Sequence, residues 1–514
     1  MKDNRNDRDS EVAYSQVNMD ANGKKLTGSK FRWALFTTIV IFLSRICMGI
    51  YYELSGPTLP DLKDRLGVNY EEISRILVWQ NAAFLVSALV GGFLSDVFKP
   101  YIAIIIFISQ VVALSGVAGA PWCTTLVTLG ICYFLTGFGC GTLGTGGNAW
   151  IVWLWGSDAT APCYAFHFGF GIGATISPQL AKPFLSKTIT TKTEPLNGTD
   201  MVTSMYPNAT EGYLNNTITT QTTSLIEYPY TIGAIATMVV ALLYLVLLYH
   251  DTKEHKLEEE KKRTKAREMD DMRRKGEVVE VNDEVEPHKL SCASICKVLS
   301  PHSCTPGEPI FGGFMIALIL TFHTLVVAGE RSWGKFLFTY AVENKKLNMN
   351  KDDASNLQSA FWFCFLAGRG LPTLVGKWIP PNLYVTTVLI LYLTNAVVLA
   401  IFGGASSTVL WICSCIFGFL VAPIFPGGIT VYNQYIDIQA MIFALSEGGA
   451  GLGGMFWQWM SGFLINRYGP ESLLYHNVVY ICLLIVVYCI IQVIGIRRKR
   501  LMKSYGISNE KEEM

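Results

Sequence analysis

Charge is scarce in this chain of 514 residues: only 16% are Asp, Glu, Lys or Arg, and the two signs nearly cancel to a formal net charge of +1. With 51% hydrophobic residues, that shortage excludes an ordinary soluble protein and points to a bilayer. The balance of signs gives no reason to expect a nucleic-acid partner. No apolar run precedes Phe31, so no cleaved secretory leader is expected, and the first hydrophobic helix is expected to act as the targeting signal. Catalytic motifs are also missing. No serine-centred triad appears, and the nearest approach to a phosphate loop, Gly329 to Lys335, is followed by Phe336 where Ser or Thr should hold magnesium. His288, Cys292, Cys296, His302 and Cys304 fit no standard zinc spacing; juxtamembrane palmitoylation or plain loop cysteines suit them better. The 13 cysteines are scattered, many inside apolar runs where a thiol behaves as a small hydrophobe. The chain is therefore read as no enzyme, with no metal and no cofactor.

What is present is a series of long apolar runs. A hydrocarbon core about 30 Å thick needs about 20 apolar helical residues, and the chain supplies about twelve such runs. They fall near 32–56, 72–95, 101–120, 125–150, 162–185 and 229–250, then 310–341, 355–377, 383–403, 407–431, 438–465 and 474–496. The expected fold is an all-α membrane protein of two six-helix bundles, 32–250 and 310–496. Between them lies a charged insert, 251–309, expected as an exposed helix followed by flexible chain; tails at 1–31 and 497–514 complete the division.

Two independent signals give an orientation. Lys24, Lys25, Lys30 and Arg32 precede the first span and a basic stretch follows the last, which places both ends in the cytosol by the positive-inside rule. The loop 186–228 then lies outside, and it carries three glycosylation sequons at Asn197, Asn208 and Asn215.

Two halves of six spans joined by a cytosolic linker match the plan of the major facilitator superfamily. The stretch GGFLSDVFKP, with Gly92, Leu94, Asp96 and Lys99, resembles the superfamily's motif after the second span, with Val97 where an arginine is usual. The stretches at 144–156, 165–185, 329–342, 361–370 and 417–435 resemble the sodium-dependent glucose transporter branch, distantly related to bacterial fucose permeases. That resemblance implies a monomeric plasma-membrane carrier of a small neutral sugar, with sodium as the candidate coupling ion in animals and protons in the bacterial relatives. It also implies carboxylates in the fourth and eleventh spans where this chain has Gly144 and Gly454, which makes an uncoupled uniporter a competitor. An organic-anion carrier with Arg45 as the counter-ion of a carboxylate substrate, and a non-transporting receptor or scaffold acting through 251–309, also compete with it.

Polar side chains inside apolar runs are the candidate site, because amides bond sugar hydroxyls and aromatic faces cover sugar C–H surfaces. The substrate candidates are Gln80, Asn81, Asn148, His167, Glu330, Trp457 and Gln458. Arg45, near mid-span, is expected to pair with Glu330 or Glu447, as a tie between the halves or in a substrate or gating role. Asp96 and Arg369 join it as gating or ion-pair candidates. His167 either donates to a sugar or is satisfied by backbone, and Lys182 is expected to snorkel. Asn433 and Gln434 are weaker amide candidates near a span end. Prolines at 57, 60, 178, 183, 423 and 426 are expected to break or kink helices, and the glycines of GFGCGTLGTGG to let helices approach closely.

Overall fold

The computed structural model describes residues 28–192, 218–274, 309–375, 378–436 and 440–504. The first span is two helices in line, α1 (Gly28–Glu53) and α2 (Ser55–Leu66), broken at Leu54 just before the Pro57–Pro60 segment. Then come α3 (Tyr70–Val97), α4 (Ile102–Gly119), α5 (Leu126–Trp155), α6 (Thr160–Ala181) and α7 (Glu227–Arg274). The second half contains α8 (Pro309–Glu343), α9 (Lys351–Val375), α10 (Pro381–Phe402), α11 (Ser407–Val421), α12 (Ile424–Tyr432), α13 (Ala440–Tyr468) and α14 (Ser472–Ser504). Helices α11 and α12 together make the tenth span, interrupted at Pro423.

Local chemistry starts several of these helices. Asn69 accepts from Glu72 N at 2.9 Å while Glu72 Oε2 accepts from Asn69 N at 3.1 Å, a capping box that opens α3. Thr125 caps α5 in the simpler one-sided way. Gly67 ends α2 at φ 64°, a conformation that costs glycine little. Pro178 lies inside α6 and Pro183 in the single 3-10 turn that ends it.

Packing within the halves repeats. In the first, α3 and α4 flank α5 and α1 lies on α6; in the second, α9 and α10 flank α11 and α8 lies on α13. The predicted glycine seam is real: a Cβ at Gly141 would stand 2.8 Å from Ala88 N, so α3 and α5 approach at backbone distance. Large apolar side chains on the outer surface, such as Leu89, Ile108, Val239, Ile390 and Val486, are more than a third exposed, as expected of a surface solvated by lipid.

Among the described residues, nine helical segments are long and apolar enough to cross a membrane by length and composition. The other three helices of spanning length are α6, α9 and α13. These three line the contact between the halves, where a neighbouring bundle replaces lipid and polar residues are tolerated. Helix α7 passes well beyond its span, reaching about 72 Å in all, so the first part of the charged insert, to Arg274, is helical.

One element lies outside the all-helical expectation. β1 (Lys187–Lys192) and β2 (Ile218–Thr223) form an antiparallel ribbon with Lys187 opposite Thr223. Their Thr-rich sequence reads as loop, because short threonine-rich runs carry no apolar face to mark a strand. The three sequons and residues 275–308 of the insert lie outside the described residues. The end of the molecule bearing the ribbon is called the ribbon face below, and the opposite end, where α7 leaves, the linker face.

Candidate functional site

The halves meet where α3 faces α13, α6 faces α9 and α2 faces α8. Deepest is a network around Asn81, which is fully buried. Its Nδ2 donates to Gln458 Oε1 on α13 at 2.7 Å, and its Oδ1 accepts from Tyr52 OH at 3.1 Å and from Arg331 on α8. Gln458 returns a bond to the Arg331 carbonyl at 3.3 Å. Gly454 is what lets the two helices close here, because a Cβ would overlap the Asn81 amide. Asn81 and Gln458 thus meet at the centre as expected, though they bond each other across the halves.

One turn toward the ribbon face, Lys335 on α8 pairs with Glu53 at the end of α1 at 3.1 Å, both side chains 1% exposed. Lys335 also donates to the Tyr52 carbonyl and stands 4.5 Å from the Tyr52 ring. Arg331 lies over the rings of Tyr52 and Phe84. Residues 331 and 335 are four apart, so one helix face presents both cations to the first half.

The ribbon face is sealed further out. Tyr70 OH donates to Glu343 at 2.6 Å, joining α3 to the end of α8. Asp61 collects Ser186 N at 2.7 Å, Ser224 Oγ at 2.7 Å and Lys351 Nζ at 2.6 Å, tying α2, the base of both ribbon strands and α9 together. Gln179 donates to Asn356 and Ser359 at 3.1 Å, and Lys182 reaches Asn356 at 3.1 Å. Toward the linker face, α3 and α13 stay in contact at Leu85, where an added Cβ at Gly448 would be 3.6 Å away.

A second group of polar side chains comes from α1, α5, α6, α8 and α9. Arg45 is 8% exposed, donates to Met48 Sδ at 3.1 Å and lies 4.6 Å from the Phe166 ring. Among the described residues it forms no ion pair with Glu330 or Glu447, contrary to expectation; Glu447 acts on it only through a longer-range field. Asn148 Nδ2 and His167 Nε2 are 3.4 Å apart, so these two candidates do come together. Glu330 is 8% exposed within the fields of Arg331, Arg369, Glu53 and Glu447. Arg369 lies over the Phe365 ring.

Two candidates point elsewhere. Gln80 donates to Thr136 at 3.2 Å and so belongs to the inside of the first half. Trp457 packs on His476 at 4.8 Å and near Tyr480, inside the second half. The reason is common to both: neighbours on a helix point about 100° apart, so with Asn81 and Gln458 turned to the other half, Gln80 and Trp457 cannot be. Gln434 accepts from Asn382 at 3.0 Å, away from the centre. Asp96 falls at the end of α3 with its side chain outside the described residues. Sequence reasoning misses Arg331, Lys335 and Asp61, although two cations four residues apart in an apolar run are a readable signal.

The sequence profile of the Major Facilitator Superfamily matches residues 41–456. The sodium-dependent glucose transporter 1 of Danio rerio is 26% identical over 460 residues, covering 88% of this chain and 68% of that protein. The protein of the same name from Rattus norvegicus is 26% identical over 472 residues, covering 90% and 85%. Among solved structures, the E. coli fucose:proton symporter superposes with a TM-score of 0.52 at 13% identity, covering 89% of this chain and 99% of that one.

Proposed function

Since the chain belongs to the major facilitator superfamily, we propose that it carries a hexose across the plasma membrane by alternating access, with sodium as the driving ion. The observation that carries this reading is the buried polar contact between the halves, Asn81 with Gln458 and Glu53 with Lys335, closing one face over a central group of polar side chains. A static scaffold gains little from burying such groups, whereas two rocking halves need contacts that can be exchanged for water when that face opens. The names of the relatives support a sugar as cargo. Asn148, His167 and Glu330 are the residues proposed to meet it, with Asn81 and Gln458 closing above it.

The positive-inside bias supports cytosolic ends, so the ribbon face is proposed as extracellular and the sealed state as the one open to the cytosol. Gly144 and Gly454 favour a second reading, a sugar uniporter, because glycine offers no carboxylate to a cation. Uptake of labelled glucose into vesicles containing the purified protein separates these readings. Accumulation above equilibrium under an inward sodium gradient supports coupling, equilibration alone supports uniport, and no saturable entry rejects the sugar carrier.

A further inference from the structure

Seven charged side chains at the centre act on one another: Arg45, Arg331, Arg369 and Lys335 against Glu53, Glu330 and Glu447. By residue type these are four basic and three acidic side chains. The distribution is uneven as well, since Lys335 holds Glu53 directly and Arg331 holds the Asn81 amide. Arg45 is left with a thioether and the faces of Phe166 and Phe170. Among the described residues, its buried Nε has no hydrogen-bond acceptor.

The surroundings of Arg45 have the polarity of a ligand site. Opposite its Nη1 stands Gly144 of α5, where an added Cβ would be 3.5 Å away, ordinary van der Waals contact. One turn on, Asn148 offers a buried Oδ1 that accepts no hydrogen bond among the described residues, while its Nδ2 approaches His167. Arg369, which acts electrostatically on both Arg45 and His167, also has a buried Nε without an acceptor among the described residues. A buried charge is costly unless a partner neutralises it, and a guanidinium fork matches a carboxylate in two-point geometry. The amide and imidazole are of the type that bonds adjacent hydroxyls, and the Phe rings suit the C–H face of a pyranose.

We propose that the Arg45, Asn148 and His167 group is a subsite for a sugar acid, a pyranose bearing one carboxylate, with the carboxylate on Arg45 and neighbouring hydroxyls on Asn148 and His167. The proposal rests on the carrier reading and narrows its cargo. It gives Gly144 a role: a side chain there would occupy the approach of the carboxylate.

The test is uptake of labelled D-glucuronate and D-glucose into vesicles holding the full chain. Glucuronate is expected to enter saturably and to compete with glucose. Arg45→Met is expected to lower the preference for glucuronate over glucose about tenfold or more, the loss of one charge-assisted contact. Arg45→Lys, which keeps the charge, should lose less of that preference. Gly144→Asp, placing a fixed carboxylate beside the guanidinium, should lose as much of it as Arg45→Met. Entry of glucose with glucuronate neither entering nor competing overturns the subsite and leaves the carrier standing. Equal loss of both sugars in the Met and Lys variants assigns Arg45 a structural role and also overturns it. Entry of neither sugar removes the carrier reading and the subsite together.

Discussion

The two lateral contacts between the halves are related by the repeat of the bundle, yet they are built differently. Where α3 meets α13 the polar groups are dry: Asn81 and Gln458 are fully buried, and the neighbouring Glu53 and Lys335 nearly so. Where α6 meets α9 the bonds of Gln179 and Lys182 to Asn356 lie at a half-exposed rim, with Phe170 and Trp362 edge to face beneath them. A buried bond forfeits its full desolvation if broken, and an exposed one is replaced by water at little cost. The α3–α13 side is therefore expected to hold the ribbon face shut, and the α6–α9 side to follow it.

The comparison can be broken most forcefully at the ion pair. Lys335→Met leaves Glu53 buried without its cation, which should cost about 3 to 5 kcal/mol, read as a fall in thermal stability of the purified protein and loss of uptake. Adding Glu53→Gln to Lys335→Met should recover most of that stability. Gln458→Ala takes one acceptor from the buried Asn81 Nδ2, which keeps its bond to the Leu77 carbonyl, and should cost about 1 to 3 kcal/mol. Its more telling readout is faster labelling of a cysteine placed at Ser359 by an impermeant maleimide, since the face opens more often. At the rim, Asn356→Ala should change stability by less than about 1 kcal/mol, in keeping with exposed polar pairs. A larger loss from Asn356→Ala than from Gln458→Ala would invert the proposed division of labour.

The residues that hold the two halves together are only partly legible in the sequence. Hydropathy outlines the spans because lipid imposes one requirement on every outward residue. It weakens at α6, α9 and α13, which face protein on the inner side. Asn81, Gln458, Asn148 and His167 are readable as polar residues in apolar runs, a signal independent of their partners. Pairings are not. Lys335 meets Glu53 and Arg45 meets Phe166 across long stretches of chain, and no local period encodes such contacts. Gln80 and Trp457 show the complementary failure: each sits beside a correct residue, and helix rotation turns it into its own bundle. The ribbon escapes a local reading because its pairing depends on the loop's two ends being brought together by α6 and α7.

Alternating access predicts that the sealed ribbon face opens in turn with sugar. Spin labels at Asp64 and Lys345, one on each half at that face, in a background with the native cysteines replaced, measure it directly. Two distance populations whose ratio shifts when glucose or glucuronate is added is the expected result. A single distance that neither sugar moves, in protein shown to be folded, would contradict it.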